Sequence, residues 1–132
     1  FEAGTANFVG AATLAKAIDF LAGYRDLIEY EDTLLRYATE RLLSIEGLKI
    51  YGTAEDKSPI VCFNVEGCNH SEIGMILDKM GIAIRTGHHC AEPVMDRFSV
   101  TGMCRASFAM YNTKSEIDTL VSGVDRAVKM LR

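Results

Sequence analysis

The first helix that the sequence predicts is apolar on almost every side, and this feature limits how the chain can fold. Over residues 8–23 the only charged side chains are Lys16 and Asp19. A helix that is hydrophobic all round is usually buried on most of its sides. The chain has 132 residues, which is room for one domain. In a domain of that size we expect the outer face of this helix to pack against something outside the chain.

The rest of the pattern alternates amphipathic helices with short strands. Apolar residues at spacings of three, four and seven predict a helix over residues 24–45. A capping box, Thr113-Lys-Ser-Glu116, predicts the start of a last helix that continues to Leu131. Another helix is predicted over residues 71–80, with Ser71 as its N-cap. Strands are predicted over residues 48–51, 60–65, 82–86 and 103–110, and the first two are expected to form a hairpin.

Together these elements predict an α+β fold in the order α-α-β-β-α-β-β-α. The arrangement is a two-layer sandwich, with a mostly antiparallel sheet and helices on one face. We expect residues 1–132 to form a single domain. Residues 87–102 are predicted to be a loop, and loops of that length without structure of their own tend to be functional or disordered.

Charge and cysteine content argue against several classes of protein. The formal net charge is −4, with acids and bases interspersed, which disfavours nucleic acid or an anionic membrane as the main partner because both require a basic patch. No apolar run approaches the ~20 residues of a membrane span. The four cysteines include no C-x-x-C pair, and we expect reduced thiols in a cytoplasmic protein. Because the first residue is Phe1 and not Met, we expect the chain to be a piece of a longer protein or a processed product.

The stretch RTGHHCAEPVM, residues 85–95, concentrates reactive side chains within a few positions. A thiol attacks as its thiolate, which nearby positive charge favours. Arg85 is always charged, and His88 and His89 add charge when protonated. Cys90 is therefore a candidate nucleophile.

Three other interpretations of this stretch remain open from the residues alone. Cys90 could be an incidental thiol in a polar loop. A metal site of His88, His89 and Cys90, completed by His70 or another cysteine, is disfavoured because adjacent residues rarely bind one ion and zinc ligands are usually two to five residues apart. A cysteine protease is disfavoured further because nothing marks an oxyanion hole.

Alternation along the strand predicted over residues 103–110 separates two candidates. Cys104 falls on the face with Ala106 and Phe108, which must be the core face, so we expect Cys104 to be a packed small hydrophobe. Arg105 then points to the open face. There it is either a structural ion-pair partner or a bidentate ligand for a carboxylate or phosphate.

Three stretches carry a resemblance to a known family: FEAGTAN at residues 1–7, RTGHHCAEPVM at 85–95 and MCRASFAMYNT at 103–113. In order and spacing they resemble the C-terminal region of SufS-type (group II) cysteine desulfurases, which are pyridoxal-phosphate enzymes of the class V aminotransferase-like group. The resemblance runs from Phe1 to Arg132. One departure is Ala6, where the family's motif has proline, and this change affects only the stiffness of the turn.

The resemblance implies a role for each matching residue. Cys90 corresponds to the catalytic cysteine that becomes a persulfide, and Arg105 to the arginine that holds the substrate carboxylate. Arg85 corresponds to an arginine at the base of the active-site loop, also on the substrate side. His88 and His89 lie in the motif, and no role beyond local charge is carried over for them.

The resemblance also implies a cofactor and partners. Thr5 corresponds to a threonine that reaches the pyridoxal 5'-phosphate of the neighbouring subunit in a homodimer. A Gly-Thr turn before a helix can bind phosphate, although by itself it indicates little more than the start of a helix. L-Cysteine is the implied substrate, L-alanine the product, and a SufE- or SufU-like protein the sulfur acceptor for iron–sulfur cluster assembly.

No lysine here matches the lysine that binds the cofactor in the family. The resemblance places that lysine before Phe1, so the chain would be the C-terminal small domain of a fold-type I enzyme, inactive and without cofactor when alone. Two alternatives remain: a selenocysteine lyase or cysteine sulfinate desulfinase of the same architecture, and a stand-alone sulfur carrier that uses Cys90.

Overall fold

The structure, a computed structural model, describes residues 3–132. The helices are α1 (Phe8–Ala22), α2 (Leu27–Leu43), α3 (His70–Lys79), α4 (Glu92–Phe98) and α5 (Lys114–Leu131). The strands are β1 (Leu48–Tyr51), β2 (Ile60–Val65), β3 (Arg85–Gly87) and β4 (Met103–Ser107).

The four strands form one sheet in the order β1-β2-β4-β3. Every neighbouring pair is antiparallel. The predicted α+β fold with an antiparallel sheet is therefore confirmed. The order places β4 in the interior of the sheet, where it pairs with β2 on one side and with β3 on the other.

The main core lies between one face of the sheet and the three helices α2, α3 and α5. Helix α5 contacts both α2 and α3. Its seven buried residues follow the apolar stripe that the sequence predicts. From the sheet, Val61 and Phe63 of β2 are fully buried in this core, and complete burial of a side chain of this size stabilises the fold by roughly 1.5–3 kcal/mol.

The ends of the helices follow local capping rules. The predicted capping box is present, because the Thr113 N–H donates to the Glu116 carboxylate at 2.7 Å and the Glu116 N–H donates to the Thr113 hydroxyl at 3.3 Å. The prediction of Ser71 as the N-cap of α3 is wrong. Asn69 is the N-cap, and its side chain accepts the Ser71 N–H at 2.8 Å. Asparagine accepts such a bond as well as serine does, so the helix begins at His70.

The loop predicted over residues 87–102 contains a helix, α4. Pro93 lies in its first turn, where the missing N–H of proline costs nothing. Met95 of α4 packs with Tyr51 and Met103 in a second, smaller apolar cluster. Met103 alternates with the core residue Cys104, so α4 lies on the face of the sheet opposite the other packed helices.

Two predicted strands are shorter in the structure. Strand β3 begins at Arg85 and not at Ile82, because the Ile82 N–H bonds to the Leu77 carbonyl at the end of α3. Strand β4 ends at Ser107, since the chain turns where the Ala109 N–H bonds to the Asn112 side chain at 2.9 Å.

Helix α1 is exposed along its whole length. The structure, which describes residues 3–132, records no buried residue in this helix, and the Phe8 and Phe20 side chains are 70% and 57% exposed. The Asn7 side chain caps it by accepting the Gly10 N–H at 2.9 Å. The expectation that this helix packs against something outside the chain stays a prediction. Across the described residues, no helix has the length and apolar character needed to cross a membrane.

Candidate active site

The pairing of β3 with β4 places two arginines directly opposite each other. Arg85 pairs with Arg105, and Gly87 pairs with Met103. Residues directly opposite in a sheet point to the same face, and like charges in that position destabilise the pair. The two guanidinium groups therefore form a local concentration of positive charge that an anion would stabilise.

Alternation along β4 places Cys104 and Arg105 on opposite faces of the sheet, as the sequence predicts. Cys104 is fully buried in the main core, and burial raises the pKa of its thiol to about 12. Arg105 faces the other side of the sheet and is half-buried. Among residues 3–132 its Nε atom has no hydrogen-bond partner, although it is buried. A buried donor of this kind is costly unless a ligand satisfies it.

A third residue on the Arg105 face was not identified as a site residue from the sequence. Cys62 of β2 lies directly opposite Arg105, and Tyr51 of β1 lies opposite Cys62. Burial raises the pKa of the Cys62 thiol, while the positive charge of Arg105 partly lowers it. Alternation with the buried Val61 and Phe63 could have placed Cys62 on this face, but its position opposite Arg105 depends on the strand register.

The loop after β3 carries Cys90 in an unusual backbone conformation. His89 and Cys90 both have positive φ values, 56° and 57°. The Cys90 side chain is exposed, and its N–H donates to Nδ1 of His88 at 3.1 Å. The Ala91 N–H donates to the His88 carbonyl at 2.9 Å. The thiol is thus accessible. The hydrogen bonds that shape this short turn form between residues of the turn itself.

His89 is the residue of this turn that bonds to the sheet. Its Nε2 lies 3.0 Å from the Met103 carbonyl oxygen. Burial lowers the pKa of His89, and the positive charges of Arg105, Arg85 and His70 lower it further, against an opposing effect of the Met103 hydrogen bond. The lowered pKa favours the neutral form of His89, which reduces the local positive charge that the sequence suggested for it.

Helix α4 supports the site from the C-terminal side of the loop. The rings of Tyr51 and Phe98 meet edge to face with centroids 5.1 Å apart. With Met95 packed on Met103, this contact holds α4 against β1 and β4. Proline in a first helical turn, followed by apolar residues at helical spacing, is the signal that could have predicted α4.

Thr5 and His70 are the remaining candidates from the sequence. Within residues 3–132, neither forms a side-chain hydrogen bond with Arg85 or Arg105. Thr5 is exposed in the turn before α1, and no hydrogen bond in the described part of the chain joins it to the Cys90 loop. His70 lies at the start of α3, with its imidazole against Gly102. Residues 3–132 contain no group of three or more His, Cys, Asp or Glu side chains arranged to hold a metal ion.

The six lysines make contacts of their own or are exposed. Lys16 and Lys129 form exposed ion pairs within their own helices. Lys49 and Lys114 lie over tyrosine rings, and Lys57 donates to the Gly52 carbonyl. The sixth, Lys79, is exposed at the end of α3. Lys57 lies close enough to Cys62 for its charge to lower the pKa of that thiol.

Comparisons with known proteins identify the family of this chain. Residues 1–120 match the family model described as aminotransferase class-V. A cysteine desulfurase from Klebsiella pneumoniae (strain 342) is 47% identical over 133 residues, an alignment that covers 99% of this chain and 32% of that protein. A cysteine desulfurase from Serratia proteamaculans is 46% identical with the same coverage.

Solved structures show the same fold. The crystal structure of the cysteine desulfurase CsdA (S-sulfonic acid) from Escherichia coli superposes with a TM-score of 0.90 at 38% identity, covering 100% of this chain and 33% of that one. The chain belongs to the aminotransferase class-V family. It spans about a third of the length of the curated relatives that it matches.

Proposed function

We propose that this chain is the C-terminal small domain, residues 1–132, of a SufS-type cysteine desulfurase. The reaction would remove sulfur from L-cysteine, giving L-alanine and a persulfide on Cys90. The observation that carries the proposal is the cross-strand pair of Arg85 and Arg105, directly before a loop that presents an exposed thiol. The similarity to proteins named cysteine desulfurase supports it.

The two arginines are the proposed site for the substrate carboxylate. Arg105 is the principal ligand, because its half-buried guanidinium has a buried Nε donor without a partner among the described residues. Arg85 is exposed and adds a second positive charge from the opposite strand. An arginine–carboxylate pair is directional, so it would fix the orientation of the amino acid as well as its affinity.

Cys90 is the proposed sulfur acceptor. Its thiolate attacks the sulfur of the substrate, forming an S–S bond as the carbon–sulfur bond of the substrate breaks, and the electron pair of that bond stays on the carbon, which is then protonated to give alanine. Pyridoxal phosphate supplies the electron sink that makes this cleavage possible. Under this proposal, the lysine that binds the cofactor would lie in another domain of the full-length enzyme, as the family resemblance implies.

The remaining parts of the proposal concern assembly. The exposed apolar face of α1 would pack against the lysine-bearing domain. Thr5 would reach the cofactor phosphate of the neighbouring subunit in a homodimer. The persulfide sulfur would pass to a SufE- or SufU-like acceptor for iron–sulfur cluster assembly, in the cytoplasm.

A substitution of Cys90 in the full-length parent enzyme tests the proposal. Cys90→Ser should abolish alanine formation from cysteine, because a hydroxyl does not accept sulfur, while the visible absorbance of the bound cofactor stays unchanged. Cys68→Ser, at a half-buried cysteine without a proposed role, is the matched control. Alanine formation that survives in Cys90→Ser would show that Cys90 is not the nucleophile.

Substrate choice within the family is a separate question for the same enzyme. Selenocysteine and cysteine sulfinate share the carboxylate and amino groups of cysteine and differ only at the group that leaves. Relative turnover of the three compounds would test the proposal, and cysteine should be favoured if attack by Cys90 is required. A marked preference for cysteine sulfinate that persists in Cys90→Ser would contradict it.

A further inference from the structure

The backbone around Cys90 is held in a conformation that residues with side chains rarely adopt. His89 and Cys90 are consecutive non-glycine residues with φ values of 56° and 57°. Such conformations are strained and persist only where the surrounding structure holds them. The bonds made by His88 are internal to the turn, so they shape the turn without attaching it to the rest of the protein.

The imidazole of His89 makes that attachment. Its Nε2 lies 3.0 Å from the Met103 carbonyl oxygen. A carbonyl oxygen only accepts hydrogen bonds, so Nε2 carries the proton and Nδ1 of the neutral ring does not. Nδ1 is buried and has no partner within residues 3–132. The neutral ring therefore has one tautomer that satisfies this contact.

Met103 is the point at which this bond couples the loop to the carboxylate site. It belongs to β4, two residues before Arg105, and it pairs with Gly87, the last residue of β3 before the loop departs. The loop thus leaves the sheet at the Gly87–Met103 pair, and the His89 side chain bonds back to Met103. Met103 is thus linked to Arg105 along β4 and to the turn that carries Cys90 through the His89 hydrogen bond.

We infer that His89 is a positioning residue, which holds the Cys90 turn at a constant place relative to Arg105 through the Met103 carbonyl. The inference rests on the proposed function, since it matters only if the thiol must meet a substrate whose carboxylate Arg105 binds. His89 acts in its neutral form. Protonation would place a second proton at Nδ1, which is buried without a partner among residues 3–132, and the charges of Arg105 on β4, Arg85 on β3 and His70 on α3 oppose it.

Two variants of the full-length parent enzyme separate this role from simple packing. In His89→Gln the amide nitrogen lies within reach of the position of Nε2 and can donate to the Met103 carbonyl. In His89→Leu the donor is lost while much of the volume stays. We expect kcat for alanine formation to fall at least tenfold in His89→Leu, with KM for cysteine within about twofold, and to recover most of its value in His89→Gln.

A second measurement follows the loop itself. Hydrogen exchange of a peptide covering residues 85–98 should be faster in His89→Leu than in the wild type, and close to wild type in His89→Gln. Ser99→Ala is the matched control, because Ser99 is also a non-glycine residue with positive φ (55°) and is exposed at the end of α4. It should change neither kcat nor the exchange of the Cys90 turn.

The outcomes distinguish this inference from the proposed function. An active parent enzyme whose His89→Leu variant keeps full kcat, or whose His89→Gln variant is as impaired as His89→Leu, overturns the positioning role and leaves the desulfurase proposal standing. A wild-type parent that makes no alanine from cysteine overturns the proposed function. In that case, hydrogen exchange of residues 85–98 still tests whether His89 holds the Cys90 turn. Equal exchange in the wild type and His89→Leu would overturn the positioning role as well.

Discussion

Cys90 and Cys104 show how one residue type acquires opposite chemistry from its surroundings. Cys104 is enclosed by the main core, where the charged thiolate is poorly solvated, and the pKa of its thiol is raised to about 12. Cys90 is exposed on a turn. Reactivity of a thiol follows its thiolate fraction and its access to solvent. The two cysteines should therefore react at very different rates.

Alkylation by iodoacetamide checks this contrast. In the native protein at pH 8, Cys90 should be modified first, Cys62 slowly because burial raises the pKa of its thiol, and Cys104 only after unfolding. Mass spectrometry of the digested protein locates the modified residues. Unfolding in denaturant is the control, since all four cysteines should then react alike. Early modification of Cys104 in the folded protein would contradict the burial described here.

Arg105 provides a second test at the scale of a single residue. A hydrogen bond to a charged group contributes roughly 1.5–3 kcal/mol, which corresponds to a ten- to hundredfold change in binding. Arg105→Ala in the full-length enzyme should therefore raise KM for cysteine by about that factor. Arg126→Ala, on the exposed side of α5, is the matched control. An unchanged KM in Arg105→Ala would contradict the carboxylate site.

The lowered pKa of His89 predicts how stability depends on pH. The unfolded chain takes up a proton at the ordinary histidine pKa of about 6.5, before folded His89 does, so the free energy of unfolding should fall as the pH drops through that value. The lowered pKa values of Asp118 and Glu116 change the free energy of unfolding only at more acidic pH. Urea unfolding at pH 7.5 and 5.5 measures the effect. The decrease should be smaller in His89→Gln, and an equal decrease would contradict the assignment.

At the scale of the elements, close packing of α3 against β3 fixes the position of β3, the strand that carries Arg85. A Cβ atom on Gly74 would lie 2.6 Å from Cγ2 of Thr86 and 3.3 Å from its hydroxyl. Thr86 is β-branched and has few rotamers available, so it does not move aside easily. A glycine in α3 is therefore required by close packing against β3.

Gly74→Ala should destabilise the protein. Overpacking costs typically 1–3 kcal/mol, and the better helix propensity of alanine offsets up to about 1 kcal/mol. With the full offset, the net loss should be up to about 2 kcal/mol in the free energy of unfolding, measured by urea titration. Adding Thr86→Ser removes Cγ2, the nearest obstructing atom, and should restore much of the loss. A stabilised Gly74→Ala variant would show that the contact is looser than described.

At the scale of the whole molecule, the proposed assignment as a domain without the cofactor lysine has a direct test. Under this proposal the exposed apolar residues of α1 pack against the domain that carries that lysine. The 132-residue chain expressed by itself should therefore show no absorbance of lysine-bound pyridoxal phosphate and should release no sulfide from cysteine. Absorption spectroscopy after incubation with the cofactor checks this. The full-length enzyme is the control, and stoichiometric cofactor binding by the short chain would refute the assignment of residues 1–132 as a domain without the cofactor lysine.

Local patterns allowed much of the fold to be predicted. The capping box of α5, the stripe of apolar residues behind it and the alternation that buries Cys104 all depend on residues within a few positions of one another. The same is true of the reactive stretch around Cys90. Helix α4 could also have been predicted locally, from Pro93 and the spacing that follows it, but the length of the segment between β3 and β4 favoured a loop.

The sequence by itself determined most of the helices and strands, the buried faces of those that pack in the core, and Cys90 and Arg105 as the residues of interest, but it did not predict α4. Only the tertiary structure decided which residues meet. The register of β3 on β4 sets Arg85 against Arg105, that of β2 sets Cys62 beside them, and the folded loop brings His89 to Met103. The physical reason is that propensity, capping and periodicity act between near neighbours in the chain. Strand register and side-chain contacts across the sheet depend instead on how the whole core packs.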